Sequence, residues 1–346
     1  MKENIRNISS YDIEESILSW GEKKFRLQQI QNWIWKNGVT DFDKMLNIST
    51  ELKTRLSEKY TFYPIHIKQL QQSADKTIKV LFELHDNLYI EGVIIPSVDR
   101  VTVCISSQVG CKLKCKFCAT GTIGFKRNLD PGEIYDQVKL LNEQSIIHFN
   151  RGISNIVLMG MGEPLYNYKN VNDAIYWLTS KDGLEISPKR ITLSTIGIPV
   201  MIKRMADDEI KYNLAVSLHS AIQEKREKIM PVAKNNTLDQ LSESLIYFTK
   251  KTGKKITFEY VLLDGINNGP EDAKALIKYS SMLASKINII EYNEVKGSEY
   301  KKSKLQNTTR FSEILKEKGL IVQIRKSRGE DIDAACGQLA NKLIKN

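Results

Sequence analysis

From residue 101 onward, strand-like runs alternate with amphipathic helical runs, and this alternation constrains the fold more than any other feature of the chain. The strand-like runs are Val101–Ser106, Asn155–Met159, Arg190–Thr195, Asn213–Leu218, Lys255–Leu262, Ile287–Tyr292 and Ile321–Lys326. The helical runs between them include Pro131–Asn142, Val171–Thr179, Leu238–Lys250, Glu271–Ala284 and Thr309–Lys318. Strands and helices that alternate in this way form parallel β/α arrays. The pattern predicts an α/β fold, built as a partial (β/α)6 TIM-like barrel.

The first 100 residues follow a different pattern. Short helical stretches come first, at Tyr11–Trp20, Phe25–Trp35 and Thr50–Lys59. Two strand-like runs, Thr77–Leu84 and Tyr89–Ile95, then flank a turn and predict a β-hairpin. We therefore expect a helical accessory domain at 1–75, a linking hairpin at 76–96, the barrel at 97–331 and a C-terminal tail at 332–346.

Three cysteines, Cys111, Cys115 and Cys118, form a CxxxCxxC motif. Three thiolates can hold three irons of a [4Fe–4S] cluster and leave the fourth iron free to bind a reactant. A structural zinc site needs four protein ligands, and no second cysteine pair or nearby histidine follows this motif. An iron–sulfur site that takes part in catalysis is therefore the stronger interpretation, and a zinc site is the weaker one.

The other candidate motifs also follow predicted strands. The cysteine motif comes after the first strand of the barrel, Gly160–Glu163 comes after the second, and Ser194 lies at the end of the third. Active sites of such barrels lie at the carboxyl ends of the strands. We therefore expect these three segments to meet in one site.

The net charge of +10 falls entirely on the second part of the chain. Residues 1–100 contain 14 basic and 14 acidic residues, which leaves 37 basic and 27 acidic residues for 101–346. Such an excess suits a polyanion that reaches the active site. A solvated, lysine-rich surface is the alternative explanation, and basicity alone does not identify RNA.

No apolar run approaches the roughly 20 residues that a membrane helix needs, and the first residues lack the apolar stretch of a signal peptide. We therefore expect a cytoplasmic protein that does not enter a membrane. The five cysteines should then stay reduced, unless catalysis pairs two of them transiently.

Four separated motifs resemble the RlmN/Cfr family of radical S-adenosylmethionine (SAM) enzymes, which methylate adenine in RNA. They are Cys104–Cys111, Phe117–Gly121, Gly160–Pro164 and Asp331–Leu339. The resemblance implies a barrel of the radical SAM type, a [4Fe–4S] cluster on Cys111, Cys115 and Cys118, and SAM bound to the open iron. It also implies SAM contacts by Gly162, Glu163, Ser194, Ser217, Leu218, His219 and Asn293.

The resemblance further assigns the two remaining cysteines and one carboxylate. Cys336 would carry the methyl group, Glu91 would accept the ring proton, and Cys104 would release the product by forming a transient disulfide with Cys336. Each residue also has an ordinary interpretation: cysteines are often buried as small apolar side chains, and Glu91 could be a polar edge-strand residue. Phe117 is left without a role.

The family reaction uses two SAM molecules for each methyl group. Val109 and Pro164 match the RlmN branch, which implies methylation of adenine C2 in 23S rRNA and in tRNA; C8 methylation of 23S rRNA, as in the Cfr branch, is the alternative. The resemblance also implies a flavodoxin-like electron donor, a thiol reductant and a monomer whose N-terminal helices help to bind RNA. Two other classes stay open, namely another radical SAM enzyme and a non-enzymatic zinc or RNA-binding protein.

Overall fold

The computed structural model describes residues 2–340. The strands within this range are β1 (Glu3–Asn4), β2 (Tyr60–Thr61), β3 (His66–Gln72), β4 (Ile78–Glu83), β5 (Tyr89–Pro96), β6 (Val101–Cys104), β7 (Gln108–Gly110), β8 (Phe125–Asn128), β9 (Asn155–Leu158), β10 (Ile191–Thr195), β11 (Asn213–Ser217), β12 (Ile256–Leu262), β13 (Ser285–Glu291) and β14 (Val322–Arg325). The helices are α1 (Ser10–Ser19), α2 (Phe25–Gln31), α3 (Thr50–Lys59), α4 (Pro131–Phe149), α5 (Tyr168–Thr179), α6 (Pro199–Asp207), α7 (Gln223–Ile229), α8 (Leu238–Thr252), α9 (Pro270–Ser280) and α10 (Leu305–Glu317).

One ten-stranded sheet organises the molecule, in the order β14-β13-β12-β11-β10-β9-β6-β5-β4-β3. The strands from β6 to β14 in this order pair in parallel, and helices connect them. Among the described residues β14 pairs only with β13 and β3 only with β4, so the barrel is open. The predicted α/β fold, a partial barrel with a separate N-terminal domain, is confirmed.

The local sequence explains why these elements form. Strand β12 is buried along its whole length, as expected for a parallel strand that is covered on both faces. Helix α4 begins with Pro131 at its first turn and with a capping box between Asp130 and Glu133. Helix α8 ends at Thr252 and is followed by Gly253, whose φ of +67° suits a residue without a Cβ.

One strand of the large sheet and a separate two-stranded sheet were not predicted. Strand β3 pairs antiparallel with β4 and extends the predicted hairpin of β4 and β5 to three strands, so the stretch 1–75 is not entirely helical. It was missed because its side chains are mostly polar and exposed, as on many edge strands. The short hairpin of β7 and β8 around the cysteine motif was also missed. Helix α2 ends at Gln31 and continues as a π-helical turn, Asn32–Lys36.

The N-terminal helices are attached to the barrel through a buried arginine. Arg6 Nη1 lies 2.5 Å from Asp136 Oδ1 of α4. Its guanidinium also lies between 5.4 and 5.7 Å from the ring centroids of Trp35, Phe62 and Tyr135. A paired and stacked arginine of this kind fixes one surface to another. No helix in the described range is long and apolar enough to cross a membrane.

Candidate active site

A cavity of about 160 Å³ lies at the carboxyl ends of the parallel strands, and we call it the cysteine cavity. The three cysteines of the CxxxCxxC motif line it. Other predicted site residues in its wall are Gly162, Glu163, Ser194, Ser217, His219 and Cys336. The three strand-end segments therefore meet, as the barrel geometry predicts.

The loop that carries the three cysteines is held from two sides. Gly110 precedes it with a φ of +75°, and a Cβ there would lie 1.8 Å from the carbonyl oxygen of Gly124. This close approach lets Cys111 N donate to the same oxygen at 2.9 Å. On the other side, Lys116 N donates to Ile229 O, the last residue of α7, at 3.0 Å. The cysteine loop is thus fixed between the β7–β8 hairpin and α7.

The environment of the cysteines fits a cluster better than a single metal ion. No three His, Cys, Asp or Glu side chains of residues 2–340 converge on one ion. Each thiolate of a cluster binds a different iron, so the sulfurs need not converge. Burial raises the pKa of Cys111 to about 11 and that of Cys115 well above its usual range. These two thiols therefore stay protonated near neutral pH in the metal-free protein, and cluster assembly must release their protons.

The glycine loop after β9 brings backbone close to the cavity. A Cβ on Gly160 would lie 2.7 Å from Ile105 O, and one on Gly162, whose φ is +101°, would lie 2.5 Å from Gln108 Cβ. Glu163 follows and is 2% exposed. Its carboxylate accepts hydrogen bonds from Leu165 N at 3.1 Å and from Ile196 N at 2.9 Å. Burial raises the pKa of Glu163 to about 7, and a cation in the cavity would favour its ionised form.

His219 lies just after β11 in a left-handed conformation, with a φ of +56°. Its Nδ1 accepts a hydrogen bond from Val261 N at 3.1 Å, so Nε2 carries the proton. Burial lowers the pKa of His219 to about 3, and the ring stays neutral. Phe117 packs edge-on against it, with the ring centroids 4.6 Å apart. The neutral imidazole can therefore donate from Nε2 but cannot carry a charge.

Two of the predicted SAM contacts lie outside this cavity. Leu218 is fully buried in the core, and its side chain is absent from the cavity wall. Asn293 lines a second cavity, where its Nδ2 donates to Cys336 O at 3.3 Å. The assignment of both residues to SAM stays a prediction.

The second cavity has a volume of about 330 Å³, and we call it the basic cavity. Its charged lining residues are Arg100, Arg325, Lys326 and Arg328, and no carboxylate of residues 2–340 lines it. Cys104 and Cys336 both lie in its wall, and Cys336 also lines the cysteine cavity. One thiol, that of Cys336, therefore connects the two cavities.

The two thiols outside the CxxxCxxC motif, those of Cys104 and Cys336, are surrounded by protein, but each of them lines a cavity. Burial raises the pKa of Cys104 to about 12 and also raises that of Cys336, while the positive charge of Arg325 opposes both shifts. Cys336 is nonetheless exposed to solvent because the cavities reach it. Both cysteines are free thiols in this structure.

The segment that carries Cys336 is tied to distant parts of the chain. Its Asp331 accepts hydrogen bonds from Ser73 Oγ at 2.5 Å and from Ala74 N at 3.1 Å. Further along, Gly337 O accepts from Ala119 N at 2.7 Å, beside the cysteine loop. These contacts hold the Cys336 segment over the cavities. Residues 341–346 of the predicted tail lie outside the described residues.

Glu91 is buried and lines neither cavity. Its neighbour on the same face of β5, Val93, pairs with Cys104, so the side chains of Glu91 and Cys104 lie on one face of the sheet. Glu91 Oε2 accepts a hydrogen bond from Ala340 N at 2.9 Å. Its Oε1 lies 3.6 Å from Lys79 Nζ and has no hydrogen-bond partner in the part of the chain that the structure describes. The predicted role as proton acceptor is untested by this arrangement.

One ion pair between the cavities was not predicted. Glu259 of β12 lines the cysteine cavity, and its Oε2 lies 3.5 Å from Arg325 Nη1, which lines the basic cavity. Glu259 is a lone carboxylate in an otherwise uncharged and buried strand. That pattern is a sequence signal for a functional residue, because buried charges are rare without a partner.

Two family models match parts of this chain. Residues 3–61 match the family model described as the ribosomal RNA large subunit methyltransferase N-terminal domain, and residues 105–278 match the radical SAM superfamily.

Several relatives and a solved structure cover nearly the whole chain. A probable dual-specificity RNA methyltransferase RlmN from Cytophaga hutchinsonii is 49% identical, over 99% of this chain and 94% of the relative. The corresponding protein of Flavobacterium psychrophilum is 47% identical, over 99% of both chains. A crystal structure of a radical SAM methyltransferase from Sphaerobacter thermophilus has a TM-score of 0.90 and 34% identity, and it covers 97% of this chain and 99% of that one.

Proposed function

The chain belongs to the RlmN family of radical SAM RNA methyltransferases, and from that premise we propose that it methylates C2 of adenine in both 23S rRNA and tRNA. Its cofactors are a [4Fe–4S] cluster and SAM. The observation that carries the proposal is that Cys336 lines both cavities. A methyl group on this sulfur would be accessible from the SAM side and from the substrate side.

The cysteine cavity would hold the cofactors. Cys111, Cys115 and Cys118 would bind the cluster, and the buried carboxylate of Glu163 would pair with the SAM amino group. When bound, the cluster and SAM supply methyl groups and the radical that abstracts hydrogen. The loops after β9, β10 and β11 line the cavity and would limit the access of water to this chemistry.

Cys336 would accept a methyl group on its sulfur and, after activation of that methyl group, form a carbon bond to the adenine. An ordinary displacement at C2 is not feasible, because the carbon is electrophilic and its hydrogen is not acidic. The adduct would then lose one electron, which returns to the cofactors that supplied the radical, and Glu91 would take the ring proton. The thiolate of Cys104 would attack the Cys336 sulfur, which breaks the carbon–sulfur bond and leaves a disulfide, and the released carbon would take up a proton to become the product methyl group. A thiol reductant must return both cysteines to the thiol form before the next turnover.

The basic cavity would receive the RNA. Arg100 and Lys326 can pair with phosphates, whereas Arg325 and Arg328 already lie 3.5 Å from Glu259 and 3.8 Å from Asp75. Among the described residues, no carboxylate in the wall would repel a phosphate. Proteins generally recognise RNA at unpaired bases that can be turned out of a stack. A single adenosine inserted here would reach both Cys104 and Cys336.

The proposal is tested by incubating the reconstituted enzyme anaerobically with a one-electron reductant and SAM that carries a tritiated methyl group. Deproteinised 23S rRNA and unmodified tRNA are offered separately. We expect tritium in both RNAs, with no transfer in the absence of the reductant. Transfer to only one RNA would limit the proposal to that substrate, and transfer to neither, despite SAM cleavage, would contradict it.

Replacing Glu163 with glutamine is expected to weaken SAM binding by about ten- to a hundredfold, because a hydrogen bond to a charged group is worth roughly 1.5–3 kcal/mol. Glutamine has the same shape and can still accept from one of the two backbone donors. Equilibrium dialysis with labelled SAM measures the affinity, and 5′-deoxyadenosine formation measures cleavage. Glu259→Gln is the comparison in the same cavity, where Arg325 and Asn288 already satisfy the carboxylate. Unchanged SAM affinity in Glu163→Gln would remove Glu163 from the SAM site.

A further inference from the structure

Arg226 of α7 is a fully buried cation directly behind the cysteine cavity. Its side chain is 0% exposed. Nε donates to Leu218 O at 3.2 Å, Nη1 to Asn236 O at 3.1 Å and Nη2 to Ile196 O at 2.6 Å. Within residues 2–340 no carboxylate forms an ion pair with it.

The three carbonyl oxygens accept hydrogen bonds from the Arg226 guanidinium, but they carry no net negative charge. They therefore do not neutralise its positive charge. Burying a cation without an anion is costly, and buried charges in proteins are normally paired. Burial lowers the pKa of Arg226, but an arginine stays protonated at any physiological pH. The positive charge therefore lacks its counter-ion in the protein alone.

The position of Arg226 indicates where that counter-ion lies. Ile196 lines the cysteine cavity, and Leu218 stands between two residues that line it, Ser217 and His219. The last residue of α7, Ile229, accepts the hydrogen bond from Lys116 in the cysteine loop. The positive charge of Arg226 also favours the thiolate form of Cys115, because it opposes the rise in the pKa of that thiol. The missing negative charge thus belongs to the three thiolates and the cluster that they bind.

We infer that Arg226 supplies a fixed positive charge behind the [4Fe–4S] cluster and raises its reduction potential, in addition to positioning the cavity wall. Reduction adds one electron to a group that is already anionic through its three thiolates. A nearby buried cation stabilises the reduced form more than the oxidised form. The cluster is then easier to reduce by a one-electron donor, which becomes oxidised. This inference rests on the cluster and holds whichever RNA is methylated.

The test is a redox titration of the reconstituted full chain without SAM or RNA, in which electron paramagnetic resonance follows the reduced cluster. Arg226→Gln removes the charge, and Arg226→Lys keeps it but cannot reach all three carbonyl oxygens. We expect the reduction equilibrium constant of Arg226→Gln to fall about tenfold, which is about 59 mV for a one-electron couple. The cluster reduction potential of Arg226→Lys should stay close to that of the wild type.

Arg6→Gln is the matched control, because Arg6 is also buried but lies in the N-terminal domain and pairs with Asp136. This substitution should lower the melting temperature of the protein without changing the reduction potential of the cluster. A wild-type potential in Arg226→Gln, or an equal fall in Arg226→Gln and Arg226→Lys, would overturn the inference. If Arg226→Gln does not keep its cluster, Arg226→Lys alone tests the inference. A cluster reduction potential close to that of the wild type then supports the role of the charge, and a lowered potential contradicts it.

Discussion

Replacing Cys336 with alanine is expected to reduce methyl transfer to RNA below detection while the cluster is retained. Cys336 is the thiol that the two cavities share, and alanine offers no sulfur to carry a methyl group. The cluster should survive because its three ligands come from a separate loop. Tritium transfer from SAM measures the reaction, and iron content with visible absorbance measures the cluster.

Mass spectrometry of the protein alone gives the control for this prediction. Wild-type enzyme that has been incubated with SAM should carry one added methyl group on the peptide that contains Cys336. The alanine variant should carry none. Methyl transfer to RNA at more than a few per cent of the wild-type rate by Cys336→Ala would exclude a covalent route through this residue.

Cys104→Ala is expected to stop the reaction at product release, after the carbon–carbon bond has formed, and to trap RNA on the enzyme. Both thiols line the basic cavity, so an adduct on the Cys336 sulfur would lie within reach of Cys104. Without the Cys104 thiolate, no internal nucleophile can break the carbon–sulfur bond. A denaturing gel should show a slower band that contains up to one RNA for each protein chain and that ribonuclease removes.

The double variant Cys104→Ala and Cys336→Ala is the matched control, because it keeps the small side chain at position 104 but has no sulfur at 336. It should show no adduct. Normal turnover in Cys104→Ala would remove this residue from product release. An adduct that persists in the double variant would place the crosslink on another residue.

The sequence predicted those features that local patterns determine. The alternation of strands and helices predicted the barrel, because a helical crossover must separate each strand from its parallel neighbour. The spacing of Cys111, Cys115 and Cys118 predicted the cluster loop, since the three ligands lie within one short segment. The family comparisons confirm the fold and the cofactors.

Features that depend on distant segments could not be predicted from local patterns. The contact between Ala340 and Glu91 joins residues that are 249 positions apart. The pair of Glu259 and Arg325 and the carbonyl cage of Arg226 likewise form only when separate loops meet. Polar edge strands such as β3 show too weak an apolar pattern to be recognised.

The family motifs identified residues, but the packing decides which cavity each residue faces. Asn293 was predicted beside SAM together with Ser217 and His219. It lines the basic cavity rather than the cysteine cavity, and its contact with SAM stays a prediction. Motif matches do not contain this information, because a turn at the end of a strand can direct a side chain to either side of the barrel opening.

The most direct test of the central claim is mass spectrometry of nucleosides from 23S rRNA and tRNA after anaerobic incubation with the reconstituted enzyme, SAM and a reductant. The two RNAs are digested separately and compared with authentic 2-methyladenosine and 8-methyladenosine. We predict 2-methyladenosine in both RNAs. Detection of 8-methyladenosine as the main product, or of no methylated adenosine despite SAM cleavage, would contradict the proposed function.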